Sequence, residues 1–303
     1  MELESLSRCL LCESNSLDMV DAECNIARCS SCGFVFDNPR PSLQELVGFY
    51  SRPSKYDPWL AELELRDQLW RRRLKLILPY RKEGSLLDVG AGIGQLLSLA
   101  KPHFDEVYGT EVSASAVYIA KKKYGVDLFG GTLDAFNPVA EHFDNISLFH
   151  VLEHVPDPVN VLRTCHSLLT ENGILIIAVP NEVVSLRASL KRRLVRAGIL
   201  KPRRGAGPFG LQRIRLTEET QEIHLSHFTP IVLRNLLRSV GFKVVNETLD
   251  PHYVRTTRMS KLAADIYYSC CLLLRHLLRR NLYDAMLVIA QKESWKEGWR
   301  VAA

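Results

Sequence analysis

Residues 86–97 read LLDVGAGIGQLL: an apolar run closed by an acid, then glycines at the alternate positions 90, 92 and 94. This order predicts a buried strand, a turn without side chains and the start of a helix, because glycine adopts positive φ and lets another group approach the backbone closely. A turn of this kind suits a dinucleotide, a triphosphate or some other ligand, and its flanks must decide. Around it, apolar strands alternate with helical stretches. SLLDVG precedes a helix at 95–101, EVYGTEV one at 114–124, and FDNISLFHV one at 159–169, followed by the strand GILIIAVPN. A helix at 230–240 and the strands FKVVNETL and DAMLVIAQK come later. The alternation predicts an α/β, doubly wound sheet with parallel strands.

The flanks narrow the ligand. Nicotinamide sites space their glycines G-x-G-x-x-G, whereas Gly90, Gly92 and Gly94 are spaced G-x-G-x-G. No Gly-Lys-Ser/Thr ending follows, which excludes a P-loop. Asp88 is awkward beside a pyrophosphate but suits a ligand amine. Glu111 ends the next strand, seventeen residues after Gly94, placed to accept from two ribose hydroxyls. A nucleoside with an amino-acid tail and no phosphate, S-adenosyl-L-methionine, fits all of these features.

A second motif precedes the domain. Cys9-x2-Cys12 and Cys29-x2-Cys32 are separated by sixteen residues. Two such knuckles complete a tetrahedral thiolate cage that suits a structural Zn2+ and leaves no open position for catalysis. A segment of ~40 residues has little core of its own, so the metal is expected to supply much of its folding energy. Cys24, Cys165, Cys270 and Cys271 read as ordinary helix or core residues. The expected organisation is a zinc ribbon at 1–45, a linker and helical segment at 46–83 with Ser42 capping its first helix, and a ligand-binding domain at 84–303. No secretory leader is read at the start, and the apolar run Ile266–Leu274 is far short of the ~20 residues that span a bilayer. The expected location is cytoplasmic, with a peripheral position at a membrane surface kept open.

With these residues identified, the chain resembles the class I S-adenosylmethionine-dependent methyltransferases, and within them the small-molecule subgroup with an N-terminal zinc ribbon. The resemblance runs from about Cys9 to Lys292. It is carried by LDVGAGIG, by FHVLEHVPDP at 149–158, by ENGILIIAVPN at 171–181 and by HLSHFTPIVLRNLLRSVGF at 224–242. It implies a seven-stranded Rossmann-like sheet of order 3-2-1-4-5-7-6 with strand 7 antiparallel. It also places Asp88, Gly90, Gly92 and Gly94 beneath the methionine moiety and Glu111 at the ribose. Thr132 and Leu133 fall beside the adenine, where Thr132 replaces the commoner aspartate and the amino contact passes to backbone or Asp134. Phe149 and His150 stand where cofactor and acceptor meet.

Methyl transfer from a sulfonium is an in-line displacement, so the chain must align the reactants and remove the acceptor's proton where one is lost. A histidine serves as such a base near neutral pH. His150 leads this reading, with His154 and His224 as further candidates and His227 beside them; Glu153 reads as a structural acid at a helix start. A cation on Glu153, His154, His224 and His227 is compatible with their composition, though spacing alone does not require it. The Asn/Asp-Pro-Pro-aromatic tetrapeptide that orients nucleobase amines is replaced by FHVLEH. The acceptor is therefore read as a small molecule such as a nucleotide-linked sugar or natural-product intermediate. An RNA methyltransferase and a non-catalytic cofactor-binding scaffold are the alternatives.

Two insertions are expected to set the acceptor. Residues 187–215 carry ten Arg or Lys and no acid, with Leu186, Leu190 and Leu194 at helical spacing, then RRGAGPFG. This stretch reads as a solvated helix with a mobile lid, or as a surface for an anionic or lipid-linked substrate. Residues 251–284 include LAADIYYSCCLLLRHLLRR, too apolar for a free helix and read as a core or homodimer helix, or one lying on a membrane.

Overall fold

In the computed structural model, which describes residues 2–52, 56–137, 142–201, 205–207, 209–217, 222–251 and 257–293, the chain begins with short strands. These are β1 (Leu3–Glu4), β2 (Leu17–Asp21), β3 (Ile26–Cys29), β4 (Val35–Asp37) and β5 (Arg40–Pro41). Three helices follow: α1 (Leu43–Tyr50), capped by Ser42 as expected, α2 (Asp57–Ala61) and α3 (Leu63–Ile77). The helical segment expected over 58–79 is thus broken at Glu62, whose φ of −120° and ψ of 20° lie outside the helical region.

The strand–helix alternation then runs β6 (Ser85–Val89), α4 (Gln95–Ala100), β7 (Glu106–Glu111), α5 (Ala114–Ile119), β8 (Phe129–Gly130), β9 (Phe143–Phe149), α6 (Pro158–Leu168) and β10 (Leu169–Pro180). After α7 (Leu186–Arg196) and the short β11 (Ser226–His227) come α8 (Pro230–Ser239), β12 (Phe242–Leu249), α9 (Arg258–Leu278) and β13 (Ala285–Lys292). The main sheet has the order β12-β13-β10-β9-β6-β7-β8. Numbered by appearance, that is 3-2-1-4-5-7-6 read from the opposite edge. β13 is antiparallel to both neighbours, whereas the pairs of β6, β7, β8, β9 and β10 are parallel. The expected fold is the one observed.

Strand periodicity sorts the side chains onto two faces. Leu87, Leu175 and Ile177 point to the face covered by α6, α8 and the aromatic residues of the N-terminal module. Leu86, Ile174 and Ile176 point to the other, where Trp70, Leu74 and Ile77 of α3 and Leu96 and Leu97 of α4 pack. Both faces are covered, so the central strands read as nearly unbroken apolar runs.

The N-terminal module shares its sheet with the larger domain. β11 pairs with β4, giving a four-stranded sheet of order β11-β4-β3-β2. Phe34 lies 5.1 Å from Phe36 and 5.6 Å from Phe228, ring centre to ring centre, closing the seam with a buried aromatic cluster. The first insertion also reaches this module. Gly207 N donates to Cys24 Sγ at 3.0 Å and Phe209 N to Asp21 Oδ2 at 3.1 Å. Residues 202–204 and 208, at and within the RRGAGPFG stretch of the first insertion, lie outside the described residues, as do 252–256 of the second insertion.

The reading of 251–284 as a core helix needs correction. Helix α9 docks through Tyr267, Tyr268 and Cys271 against Leu249 and Tyr283, and Cys271 is its one fully buried residue. Met259, Leu262, Ile266, Leu273 and Leu277 face outward. The apolar stripe is wider than the groove that receives it. Helix α7 has no buried residue, and its Leu186 and Leu190 are exposed.

Candidate active site

The loop between β6 and α4 is built as its glycines demand. Gly90, Gly92 and Gly94 have φ of 69°, 54° and 77°, all in the region that other residues rarely adopt. A methyl group at Gly90 would stand 2.5 Å from Val151 Cγ2, so the turn lies directly against the loop that follows β9. Gly90→Ala is expected to destabilise the chain by about 2–4 kcal/mol, combining left-handed strain with overpacking. Equilibrium denaturation checks this, and a variant as stable as the parent would contradict the geometry.

Glu111 fastens the same loop from the end of β7. Its Oε2 accepts from Gly92 N at 2.9 Å, and its Oε1 accepts from Ser113 N at 2.9 Å and from Tyr56 Oη at 3.3 Å. Burial pushes its pKa up, while the Ser113 and Gly92 amides pull the other way. A hydroxyl donor already sits on this carboxylate, which is the contact a ribose needs. Trp59 stands over Gly92, its ring 3.0 Å from where a β-carbon would be. Asp88, also buried, accepts from Ser147 Oγ at 2.6 Å, and burial raises its pKa to about 7 against that hydrogen bond. Thr132 is exposed and Leu133 buried. The Asp134 carboxylate is engaged by Asn160 Nδ2 and Thr164 Oγ1 of α6, both at 3.3 Å. Phe149 is packed edge-on against Trp70 of α3 at 5.1 Å.

His150 follows the last residue of β9, held at φ 56° while its N–H donates to Ala178 O at 2.8 Å. A non-glycine residue in this conformation is strained, and such strain collects at functional loops. Its side chain joins a buried network. Arg73 grips Asp250 with Nε at 2.8 Å and Nη2 at 2.6 Å. His150 reaches Asp250 Oδ2 with Nε2 at 2.9 Å and Glu153 Oε1 with Nδ1 at 3.2 Å. Burial lowers the His150 pKa, but these carboxylates outweigh it and hold it at about 9, despite Arg73.

A second network faces it across the loop. His154 Nδ1 bonds the Ile223 carbonyl and lies 3.0 Å from Tyr50 Oη. Burial pushes its pKa down, keeping the ring neutral near pH 7. Glu182 Oε2 accepts from Nδ1 of both His224 and His227, at 2.9 and 2.8 Å, and His227 Nε2 donates to Asp37 Oδ2 at 3.0 Å. Burial works against the charged form of His224, but Glu182 and Glu222 overcome it and raise its pKa well above the usual histidine range. The rings of His154 and His224 are 5.0 Å apart. Between these networks, Glu153 Oε2 is fully buried and has no hydrogen-bond partner among the described residues.

His227, like His150, is raised to about 9, burial being outweighed by Asp37 and Glu182. A histidine whose folded pKa exceeds its unfolded ~6.5 contributes full stability below that pH and loses it as pH rises through the folded value. The unfolding midpoint should therefore fall between about pH 6.5 and 9.5, each histidine contributing on the order of 1–3 kcal/mol. Calorimetry against pH checks this, and Asp250→Asn should flatten the slope.

In the N-terminal module Cys9 Sγ lies 3.6 Å from Cys32 Sγ and Cys12 Sγ 3.6 Å from Cys29 Sγ, with all four sulfurs within 4.8 Å of one another. Zinc–sulfur bonds of about 2.3 Å arranged tetrahedrally would separate the sulfurs by ~3.8 Å, so the donor set fits the ion.

The structure thus gathers Gly90, Gly92, Gly94 and Glu111 at one turn, His150 and His154 on the loop beside it, and His224, from the segment before β11, against His154. Tyr50, Tyr56, Trp59, Arg73, Glu182 and Asp250 were missed from sequence. One signal was legible: Arg73 falls on the buried stripe of α3 with Leu69, Trp70, Leu74 and Ile77, where an unpaired cation would be costly. Tyr50 closes α1, Tyr56 precedes the 5-residue α2 and Trp59 lies within it, runs too short to show which way their rings point, and Asp250 meets Arg73 across 177 residues.

A family model described as "Methyltransferase domain" matches residues 63–247. A ubiquinone biosynthesis O-methyltransferase of Histophilus somni is 32% identical over 109 residues, 33% of this chain and 46% of that one. The corresponding protein of Coxiella burnetii is 30% identical over 101 residues, 32% of this chain and 43% of that one. The match thus spans less than half the length of these curated relatives. A solved SAM-dependent methyltransferase of Thermotoga maritima superposes with a TM-score of 0.50 at 16% identity, covering 82% of this chain and all of that one. That likeness is one of fold.

Proposed function

The chain belongs to the methyltransferase-domain family, and from that premise we propose that it is an S-adenosylmethionine-dependent enzyme that methylates a hydroxyl group of a small-molecule acceptor. The observation that carries this reading is Glu153. Its Oε2 is buried and, among the described residues, unpartnered, and its Oε1 lies 3.9 Å from Nε2 of a neutral His154, on a loop whose Val151 touches the glycine turn. A buried carboxylate oxygen without a donor is costly, and an acceptor hydroxyl is a donor of the right size. The partial match to proteins named O-methyltransferase supports the same acceptor atom.

On this reading Gly90, Gly92 and Gly94 receive the cofactor without side-chain obstruction, Asp88 faces its amino-acid end and Glu111 its ribose. Phe149, Thr132 and Leu133 complete the surroundings. When bound, S-adenosylmethionine supplies an electrophilic methyl group on a sulfonium. The chain's own work is alignment and proton removal. His150, charged at neutral pH and held by Asp250 and Glu153, positions the loop, so the base role first expected for it passes to the lone pairs of His154 and Glu153. His224, charged, orients the acceptor.

The N-terminal module, which we read as a zinc ribbon on Cys9, Cys12, Cys29 and Cys32, forms one wall through Asp37 and β4. Helix α7 begins four residues after Glu182 and displays Leu186 and Leu190 among Arg187, Lys191 and Arg193. That surface favours an amphiphilic or anionic acceptor, including a nucleotide- or lipid-linked one. No helix among the described residues is long and apolar enough to cross a membrane.

The test is transfer of labelled methyl from S-adenosylmethionine to phenols, catechols and nucleotide-linked sugars, run beside RNA. Label on a hydroxyl, with turnover reduced about a hundredfold in Glu153→Gln and cofactor affinity unchanged, supports the proposal. Label on RNA alone, or full turnover in Glu153→Gln, overturns it.

A further inference from the structure

We propose that Glu153, His154 and His224 bind a divalent first-row metal ion, on which the acceptor oxygen is held. The inference rests on the acceptor reading above and names what stands between those side chains and the substrate. Offering one donor atom each, the three lie within 4.8 Å of one another. Two histidines and one carboxylate make a set that suits such ions and leaves coordination positions open.

The surroundings are those of metal ligands. A ligating histidine almost always donates its other ring N–H to a carbonyl or carboxylate. His154 Nδ1 is spent on the Ile223 carbonyl and His224 Nδ1 on Glu182 at 2.9 Å, so both present Nε2 to the gap. His154 Nε2 stands 3.9 Å from Glu153 Oε1, too far for a hydrogen bond and close enough for a shared ion after a small shift. Glu153 Oε2 is fully buried and, among the described residues, without a partner. Glu222 Oε2, 3.8 Å from His224 Nε2, supplies a further carboxylate at the open side.

The other histidine–carboxylate group here, Glu182 with His224 and His227, is a weaker candidate. Its atoms already meet at hydrogen-bond distances of 2.8–2.9 Å, and His227 Nε2 is committed to Asp37. Glu182 is instead the carboxylate that orients His224. With an ion in place, the proton on His224 Nε2 is released to solvent, the His154 lone pair holds the ion in place of acting as base, and the acceptor hydroxyl, made more acidic, gives its proton to the Glu153 oxygen that the ion does not take.

Manganese is the probe, because thiolates bind it poorly and the four-cysteine site stays silent. Zinc-loaded full-length protein is titrated with Mn2+ and followed by electron paramagnetic resonance. One Mn2+ per chain is expected. Glu153→Gln and His224→Ala should each weaken it about thirtyfold or more, and Glu182→Gln about tenfold. Circular dichroism and S-adenosylmethionine calorimetry on the same samples establish that the variants are folded and the cofactor half intact. No Mn2+ bound by a parent that binds S-adenosylmethionine overturns the metal site and leaves the methyltransferase reading standing. Mn2+ binding that survives both ligand substitutions equally overturns it.

Discussion

Glu111→Ala is expected to lower the affinity for S-adenosylmethionine by about a hundredfold or more, since hydrogen bonds to a charged group contribute roughly 1.5–3 kcal/mol each and a ribose offers two. The carboxylate has a second role that enlarges the effect. It accepts from Gly92 N and Ser113 N, so it also holds the glycine turn in the shape the cofactor meets. Removing it leaves those amides without their acceptor and frees Tyr56. Titration calorimetry measures this directly, with NAD as a control that should give no binding heat to either protein. Glu111→Gln separates the two roles, because it keeps one acceptor oxygen while losing the charge. Unchanged affinity in Glu111→Ala would remove the cofactor assignment from this turn.

The second large effect is expected at the cysteines. Structural zinc contributes on the order of 10 kcal/mol to small domains that depend on it, and Cys29→Ser should lose the ion together with the order of β2–β4. The damage should not stop there. β4 is the partner of β11, Asp37 holds His227, and Phe34 and Phe36 pack on Phe228. Methyl transfer should therefore fall about a hundredfold as the acceptor wall loosens. Cofactor affinity should change little, because the glycine turn and Glu111 belong to β6 and β7. Zinc content, near-ultraviolet circular dichroism and calorimetry on one sample test all three. A Cys29→Ser protein that retains one zinc and melts like the parent would sink the ribbon.

Legibility followed the range of each interaction. The glycine turn was readable because its requirements are local: positive φ at three positions and a strand and helix on either side. The sheet order followed from the resemblance, and the alternating faces of Leu86 and Leu87 follow from strand geometry alone. The helix start at Ser42 was visible for the same reason, since a cap bonds an amide only three residues away. The break at Glu62 was not, because its 5-residue α2 is placed by Tyr56 and Trp59 packing on the glycine turn.

Histidine roles show the limit most clearly. Sequence nominated His150, His154 and His224 as one undifferentiated set of bases. Tertiary structure gives them opposite states: Asp250 and Glu153 charge His150, burial keeps His154 neutral, and Glu182 charges His224. Asp250 lies 100 residues from His150 and Glu182 42 residues from His224, and only Glu153 is local. The sequence by itself determined the strand–turn–helix that faces the cofactor and the two cysteine knuckles, because backbone conformation and chelate spacing are properties of neighbouring residues. Only the tertiary structure decided that the N-terminal module pairs through β4 with β11, that α9 leaves its apolar stripe outside, and which histidines hold a proton. Those depend on burial and on carboxylates brought in from distant strands, and a low-dielectric interior turns such distances into charge states.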